Sequence, residues 1–200
     1  MAPDDTSDSD LVAAAQHGDR DALDRLLRRH HDRIHALARR MMGNDADADD
    51  ATQEALIAIV RGLSRFDQRA AFGTWAYRVA TNACLDELRR RGRRPRPDPD
   101  AFLTVPASGG DPSDVVSARL DVDAALATLP VEFRAAVVLR DLCALDYAEI
   151  GEVLDIPAGT VRSRIARGRA QMARYLGGPD PADPDAGNPD AGGERPRTRP

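Results

Sequence analysis

Apolar positions recur every three or four residues in several stretches of the chain. After Asp19 they fall at Leu23, Leu26, Leu27, Ile34, Leu37 and Met41, one face of a helix that stops at Gly43-Asn44. The same spacing predicts a second helix from about Asp47 to Gly62 and a third from about Thr74 to Arg91. Helices of this length are marginal alone and are expected to pack as a bundle. Farther along, Pro130 sits where a first-turn proline is tolerated and opens a helix through Phe133, Val137 and Leu139 towards Asp141. Asp146 and Glu149 have capping-box spacing ahead of Ile150, Val153 and Leu154. Asp155-Ile156-Pro157 then breaks the chain, and Gly159-Thr160 leads into a last helix reaching about Leu176. A short helix, a tight break and a basic helix have the layout of a helix-turn-helix.

Between these groups the composition shifts. Residues Pro95 to Asp114 hold five Pro, two Gly and four Asp, too little apolar surface to offset the entropy of ordering, so the stretch is an expected flexible linker. Gly177 to Pro200 holds six Pro and five Gly and is an expected disordered tail. The predicted organisation is a disordered tail over 1–9, a helical module over 10–94, a linker over 95–119, a second helical module over 120–176 and a tail over 177–200. With aromatics at only 4% and Ala, Leu, Arg and Asp throughout, the fold class is all-α, two small helical domains joined by a flexible linker.

The net charge of −5 conceals segregation along the chain. Every basic residue is Arg. Six Arg and no acid lie between Arg89 and Arg96, and five Arg and no acid between Ile156 and Leu176, whereas Asp141 to Asp155 carries five acids and no Arg. On the last helix Val161, Ile165, Gly168, Met172 and Leu176 share one side, leaving Ser163, Ala166, Arg167, Ala170 and Arg174 opposite. That outward face starts small and ends cationic, which suits entry into a major groove with Arg bridging two acceptors on guanine. Arg162, Arg164 and Arg169 flank it, within reach of phosphates. A solvated Arg face on an ordinary helix is the plainer alternative.

On the helix after Thr74, residues Trp75, Arg78, Asn82 and Arg89 share one stripe, while Ala76, Val79, Ala80, Ala83 and Leu88 face elsewhere. Trp, Arg and Asn together offer stacking and hydrogen bonding to unpaired bases, and the loop Phe66 to Phe72 adds aromatic and polar groups. The alternative is that Trp75 caps the bundle core. Asp50, Gln53, Glu54, Ile57 and Arg61 form a third stripe on the preceding helix, a protein-docking face or a solvated acidic one.

Other chemistry finds no support. His30, His31 and His35 lack a third metal ligand at a useful spacing and are expected to form a surface histidine cluster. Cys84 and Cys143 lie far apart in apolar helical contexts and are expected to be packing residues, not a disulfide or a metal knuckle. Phosphate-cradling loops and nucleophile motifs are missing from the sequence, so no catalytic residue, metal site, cofactor or small-molecule substrate is expected. No run approaches the length needed to span a bilayer, and the acidic start is unlike a secretion signal, so a cytoplasmic location is expected.

The run Asp49-Asp50-Ala51-Thr52-Gln53-Glu54, then Phe66, then Phe72-Gly73-Thr74-Trp75-Ala76-Tyr77-Arg78-Val79-Ala80-Thr81-Asn82, resembles the sigma-2 domain of extracytoplasmic-function RNA polymerase sigma factors, a branch of the sigma-70 family. Leu129-Pro130 through Arg134, Tyr147-Ala148-Glu149-Ile150 and Gly159 to Ile165 resemble its sigma-4 domain. The resemblance implies a sigma factor, not an enzyme, that binds polymerase core and directs promoter-specific initiation by recognising and melting promoter DNA. By it, Asp50, Gln53, Glu54 and Ile57 dock on the clamp helices of the largest subunit. Phe66, Trp75, Arg78, Asn82 and Arg89 meet the melted minus-ten element, and Arg162, Ser163, Arg164, Ala166, Arg167 and Arg169 meet the minus-thirty-five element. It also implies contact with the polymerase flap, a linker threaded through the polymerase cleft, and an anti-sigma factor, membrane-bound in one of its forms. His30-His31 and Asn82 to Asp86 are similar to the sigma-M-like group. Ala58-Ile59-Val60 departs from the pattern, standing where many relatives carry an aromatic in the docking helix.

Two other readings of the residues stay open at this point: an ordinary helix-turn-helix regulator whose first module is a sensor or dimerisation domain, and a helical adaptor or enzyme with merely solvated Arg faces.

Overall fold

A computed structural model describes residues 6–93 and 114–177. Eight helices follow in order: α1 (Asp8–Gln16), α2 (Arg20–Met42), α3 (Asp45–Gly62), α4 (Phe72–Arg93), α5 (Asp114–Ala127), α6 (Val131–Asp141), α7 (Tyr147–Leu154) and α8 (Ala158–Tyr175), with a short 3-10 turn over Leu63–Arg65. Strands are absent among the described residues, in agreement with the all-α expectation.

The first module is α1 to α4. Side-chain caps start its helices: Ser7 accepts from the Asp10 amide, Asp19 from the amides of Asp21 and Ala22, and Asn44 from that of Asp47. Gly43, at φ +82°, ends α2 in the left-handed conformation that glycine adopts without strain. The apolar stripe of α2 is buried through Leu26, Ile34, Leu37 and Met41 against Ile59 of α3 and Ala76, Ala80 and Cys84 of α4.

The second module is α5 to α8. Asp146 and Glu149 form the expected capping box at α7. Asp155, at φ 53°, closes α7 in the left-handed region, and its neighbour Ile156 donates to the Gly151 carbonyl. A side chain at Gly151 would begin 2.8 Å from the Ile156 carbonyl oxygen, so the turn of the helix-turn-helix requires glycine there. Val161 and Ile165 bury the inner face of α8 against α6, and Gly168 lets the two helices approach, since a Cβ there would lie 2.7 Å from Val137.

Three sequence expectations change. The N-terminal tail assigned to 1–9 already forms helix from Asp8, because α1 packs Leu11 and Val12 fully into the core. The stretch assigned to the linker up to residue 119 becomes helical at Asp114; what remains of it, and the tail beyond Gly177, falls outside the described residues. His30 is not part of a surface cluster: it is 7% exposed, its Nε2 lies 2.7 Å from Asp8, and its ring meets Phe72 edge-on at 4.9 Å. The helix missed at Asp8 is what covers it. His31 and His35 do stack at the surface, 6.2 Å apart. Both cysteines pack as expected, and burial pushes the thiols of Cys84 and Cys143 up to about 12.

The modules pack on one another, α2 against α5 and α6, and α4 against α6 and α7. At the centre is Arg134 of α6, 8% exposed. Its guanidinium donates to the Met41 carbonyl at the end of α2 (2.7 Å) and to those of Ala127 (2.8 Å) and Leu129 (3.2 Å) beyond α5. A cation among the carbonyls of two helix C-termini is placed where the helix dipoles favour it. Arg39 of α2 also pairs with Asp123 of α5.

Candidate nucleic-acid interface

Around one cleft of about 300 Å³ the structure gathers three of the predicted residues, Trp75 and Arg78 from α4 and Phe66 from the loop before it, with Asp67, Arg69 and Glu152 among the other lining residues. Phe66 is buried, stacked on Trp75 with centroids 4.8 Å apart and edge-on to Phe72 at 5.9 Å. Trp75 is half-buried and lies across Gly62, where a Cβ would come within 3.1 Å of its ring. The indole therefore seals the edge of the core, the alternative left open by the sequence, and also lines the cleft. Arg78 is exposed, yet it donates to the main-chain carbonyl of Glu152 in α7. Asn82 is exposed farther along α4 and does not line the cleft. Arg89, paired with Asp86 at 2.9 Å, lies farther still, beside Arg164 in a groove between the modules.

Residues that periodicity did not single out hold this site in place. Gln16 of α1 donates to the carbonyls of Leu63 (2.9 Å) and Phe66 (2.8 Å), pinning the entry to the Phe66 loop, and Ser9 donates to Gln68 at 2.6 Å. Gln68 itself sits at φ 58°, a strained turn for a residue with a Cβ. No local signal marks such long-range bonds.

The stripe on α3 is open to solvent as expected: Asp50, Gln53 and Glu54 are exposed, Ile57 is half-buried and Val60 is 43% exposed. Beside it a shallow groove between α2 and α3 is lined by His31, His35, Asp49, Gln53, Leu56 and Ile57, with His35 Nε2 3.0 Å from Asp49. An acidic rim around apolar side chains suits a basic, partly apolar partner.

On α8 the residues Arg162, Ser163, Ala166 and Arg167 are exposed. The Ser163 hydroxyl donates to the Thr160 carbonyl at 2.9 Å. Arg162 lies over the ring of Tyr147, 5.7 Å from its centroid. Arg169 is held by Asp141 of α6, its Nε donating at 3.3 Å, so a phosphate would have to displace a carboxylate to engage it. Arg164 is half-buried and faces the inter-module groove. Of the six predicted residues, five are thus exposed, one of these, Arg169, within an ion pair, and Arg164 is half-buried.

Residues 26–94 match the sigma-70 region 2 family and residues 119–172 the sigma-70 region 4 family. The chain is 43% identical over 171 residues to the "ECF RNA polymerase sigma factor SigM" of Mycobacterium tuberculosis, a match covering 86% of this chain and 85% of that protein. It is 46% identical over 166 residues to "ECF RNA polymerase sigma factor SigE" of Mycolicibacterium smegmatis, covering 80% of this chain and 64% of that longer protein. Among solved structures it is similar to CnrH, described in complex with the cytosolic domain of CnrY, with a TM-score of 0.63, 26% identity, and coverage of 85% of this chain and 97% of that one. The fold is shared with the sigma factor RpoE of Bartonella quintana, described in complex with the anti-sigma factor NepR, at a TM-score of 0.64 and 22% identity, covering 77% of this chain and 96% of that one.

Proposed function

The chain belongs to the extracytoplasmic-function RNA polymerase sigma factors of the sigma-70 family, proteins that bind polymerase core and direct promoter-specific initiation, and from that premise we propose how its residues divide the work. The exposed face of α3, with Asp50, Gln53, Glu54 and Ile57, docks on the clamp helices of the largest subunit. The cleft of Phe66, Trp75 and Arg78, extended along α4 by Asn82 and Arg89, takes unpaired bases of the minus-ten element. Aromatic faces stack on any base, while Arg and Asn supply the directional bonds. The start of α8 enters the major groove of the minus-thirty-five element, Arg162 and Arg167 meeting base edges beside the small Ser163 and Ala166, with Arg164 and Arg169 serving the backbone.

The chain itself catalyses nothing in this scheme; bond formation belongs to the polymerase. Its location is cytoplasmic, with core and promoter. No helix among the described residues is long and apolar enough to cross a membrane. An anti-sigma factor completes the partner set, as the family resemblance implies.

The observation that carries the reading is the pairing of two separate exposed Arg-bearing faces, one aromatic-walled and one on a helix-turn-helix, within a single chain of this family. The test is reconstitution with purified core and a library of promoter fragments. Transcripts starting at defined sites are expected. Arg167→Ala is expected to lose initiation at selected promoters while still binding core; unchanged promoter choice would remove Arg167 from the upstream contact.

A further inference from the structure

Tyr147, the first residue of α7, is half-buried with two guanidinium groups over its ring. That of Arg140 is 5.1 Å from the ring centroid and that of Arg162 is 5.7 Å. Arg140 is anchored by its own bond to the Leu145 carbonyl (2.8 Å), and the backbone of Tyr147 follows directly on the Asp146 capping box. Arg162 stands just past the first turn of α8 and makes no ion pair among the described residues, unlike Arg169 on the same helix.

We propose that Tyr147 is a positioning residue for promoter reading: its ring holds the guanidinium of Arg162 poised at the entrance of α8. The inference rests on the assignment of Arg162 to the minus-thirty-five element. A solvent-exposed Arg has many rotamers to lose on binding, and a rigid aromatic surface reduces that cost beforehand. An acid could also restrain it, but a carboxylate would occupy the N–H donors and would have to be stripped away by DNA. An aromatic ring attracts the face of the guanidinium and leaves the edge donors free for the O6 and N7 of a guanine. Tyr147 thereby prepares Arg162 without neutralising it, whereas Asp141 holds Arg169 in the manner of a structural pair.

The test uses the full chain reconstituted with polymerase core, on a promoter series substituted at each minus-thirty-five position. Wild type is compared with Tyr147→Phe, Tyr147→Ala, Arg162→Ala and the Tyr147→Ala/Arg162→Ala double variant. Tyr147→Ala is expected to weaken initiation on the matched promoter by about two- to fivefold, the range of an exposed cation–π contact, and to flatten discrimination at the same positions as Arg162→Ala. Tyr147→Phe, which keeps the ring, retains both, and in the Arg162→Ala background the loss of Tyr147 adds nothing. A uniform loss on every promoter, an equal further loss in the Arg162→Ala background, or a Phe variant as impaired as Ala overturns the positioning role. Unchanged discrimination in Arg162→Ala alone instead withdraws the base contact from Arg162, and the inference with it.

Discussion

Arg78, on the proposed nucleic-acid face of α4, donates through Nε at 3.2 Å to the main-chain carbonyl of Glu152 in the opposite module. That carbonyl occupies the donors that the proposed base contact would use, and Thr74 donates to Glu149 of the same helix at 3.0 Å. The free chain is therefore expected to bind a single-stranded minus-ten oligonucleotide at least tenfold more weakly than the chain assembled with core, since a charge-assisted bond of about 1.5–3 kcal/mol must first be exchanged. Fluorescence anisotropy of a labelled oligonucleotide, with and without core, measures this; equal affinities would count against the masking.

Glu54 lies exposed at the centre of the proposed docking face. Glu54→Arg is expected to weaken association with core by tenfold or more, because like charges across an interface cost several kcal/mol. The fold is expected to hold, its urea midpoint moving by less than about 0.5 kcal/mol of stability, as for a surface change away from other features. Co-migration with core on a sizing column reads the first, and urea denaturation the second.

Arg134 satisfies three carbonyl groups from inside the protein, and burial lowers its pKa without a carboxylate in compensation. Arg134→Met removes the donors and leaves those acceptors buried. A loss of about 2–4 kcal/mol is expected. Arg134→Lys, with a single ammonium in place of the planar fork, recovers only part of it. Urea unfolding of the three proteins gives the ranking, and a Met variant as stable as wild type would show the buried cation to be dispensable.

Arg91 donates to both carboxylate oxygens of Asp47, tying the end of α4 to the start of α3. This bond holds the Asp47 carboxyl below its ordinary value of 3.8, although burial acts the other way. The unfolded chain consequently takes up this proton first as pH falls. The stabilisation is complete above the unfolded value and is lost as pH drops through the lower folded one. Asp47→Asn is expected to cost up to about 1 kcal/mol at neutral pH, limited by solvent screening of a partly exposed pair. The deficit should shrink towards zero in acid, which urea titrations at neutral pH and near pH 3 would show.

Much of this architecture is legible in the sequence because it is local. The stripes on α2 and α8, the Asp146 cap and the break at Asp155 each depend on residues a few positions apart, and each reappears in the structure. Two helices escape that logic. In α1 the run Ala13-Ala14-Ala15 blurs the apolar stripe, and in α5 the sequence from Val115 to Leu126 has no regular three-four spacing of apolar residues. The buried state of His30 follows from α1 and was lost with it. Among the candidate site residues the outward directions were correct for Asp50, Gln53, Glu54, Arg162 and Arg167. The engagement of Arg78 by Glu152 and of Arg169 by Asp141 was not foreseeable, since both bonds join helices distant in sequence. Periodicity reports which way a side chain leaves its own helix and nothing about which other helix is waiting there.

The packing of the two modules across Arg134 and Met41 has a consequence for promoter use. Elements centred near positions minus thirty-five and minus ten are about 25 base pairs apart, roughly 85 Å of duplex axis. On the proposed division of DNA contacts, two bodies joined by direct hydrogen bonds do not reach both ends of such a span, and the seam between them is expected to come undone before initiation. Whatever holds the seam shut is subtracted from the affinity for DNA. A variant stabilised by tightening it is therefore expected to melt later and to fire fewer promoters.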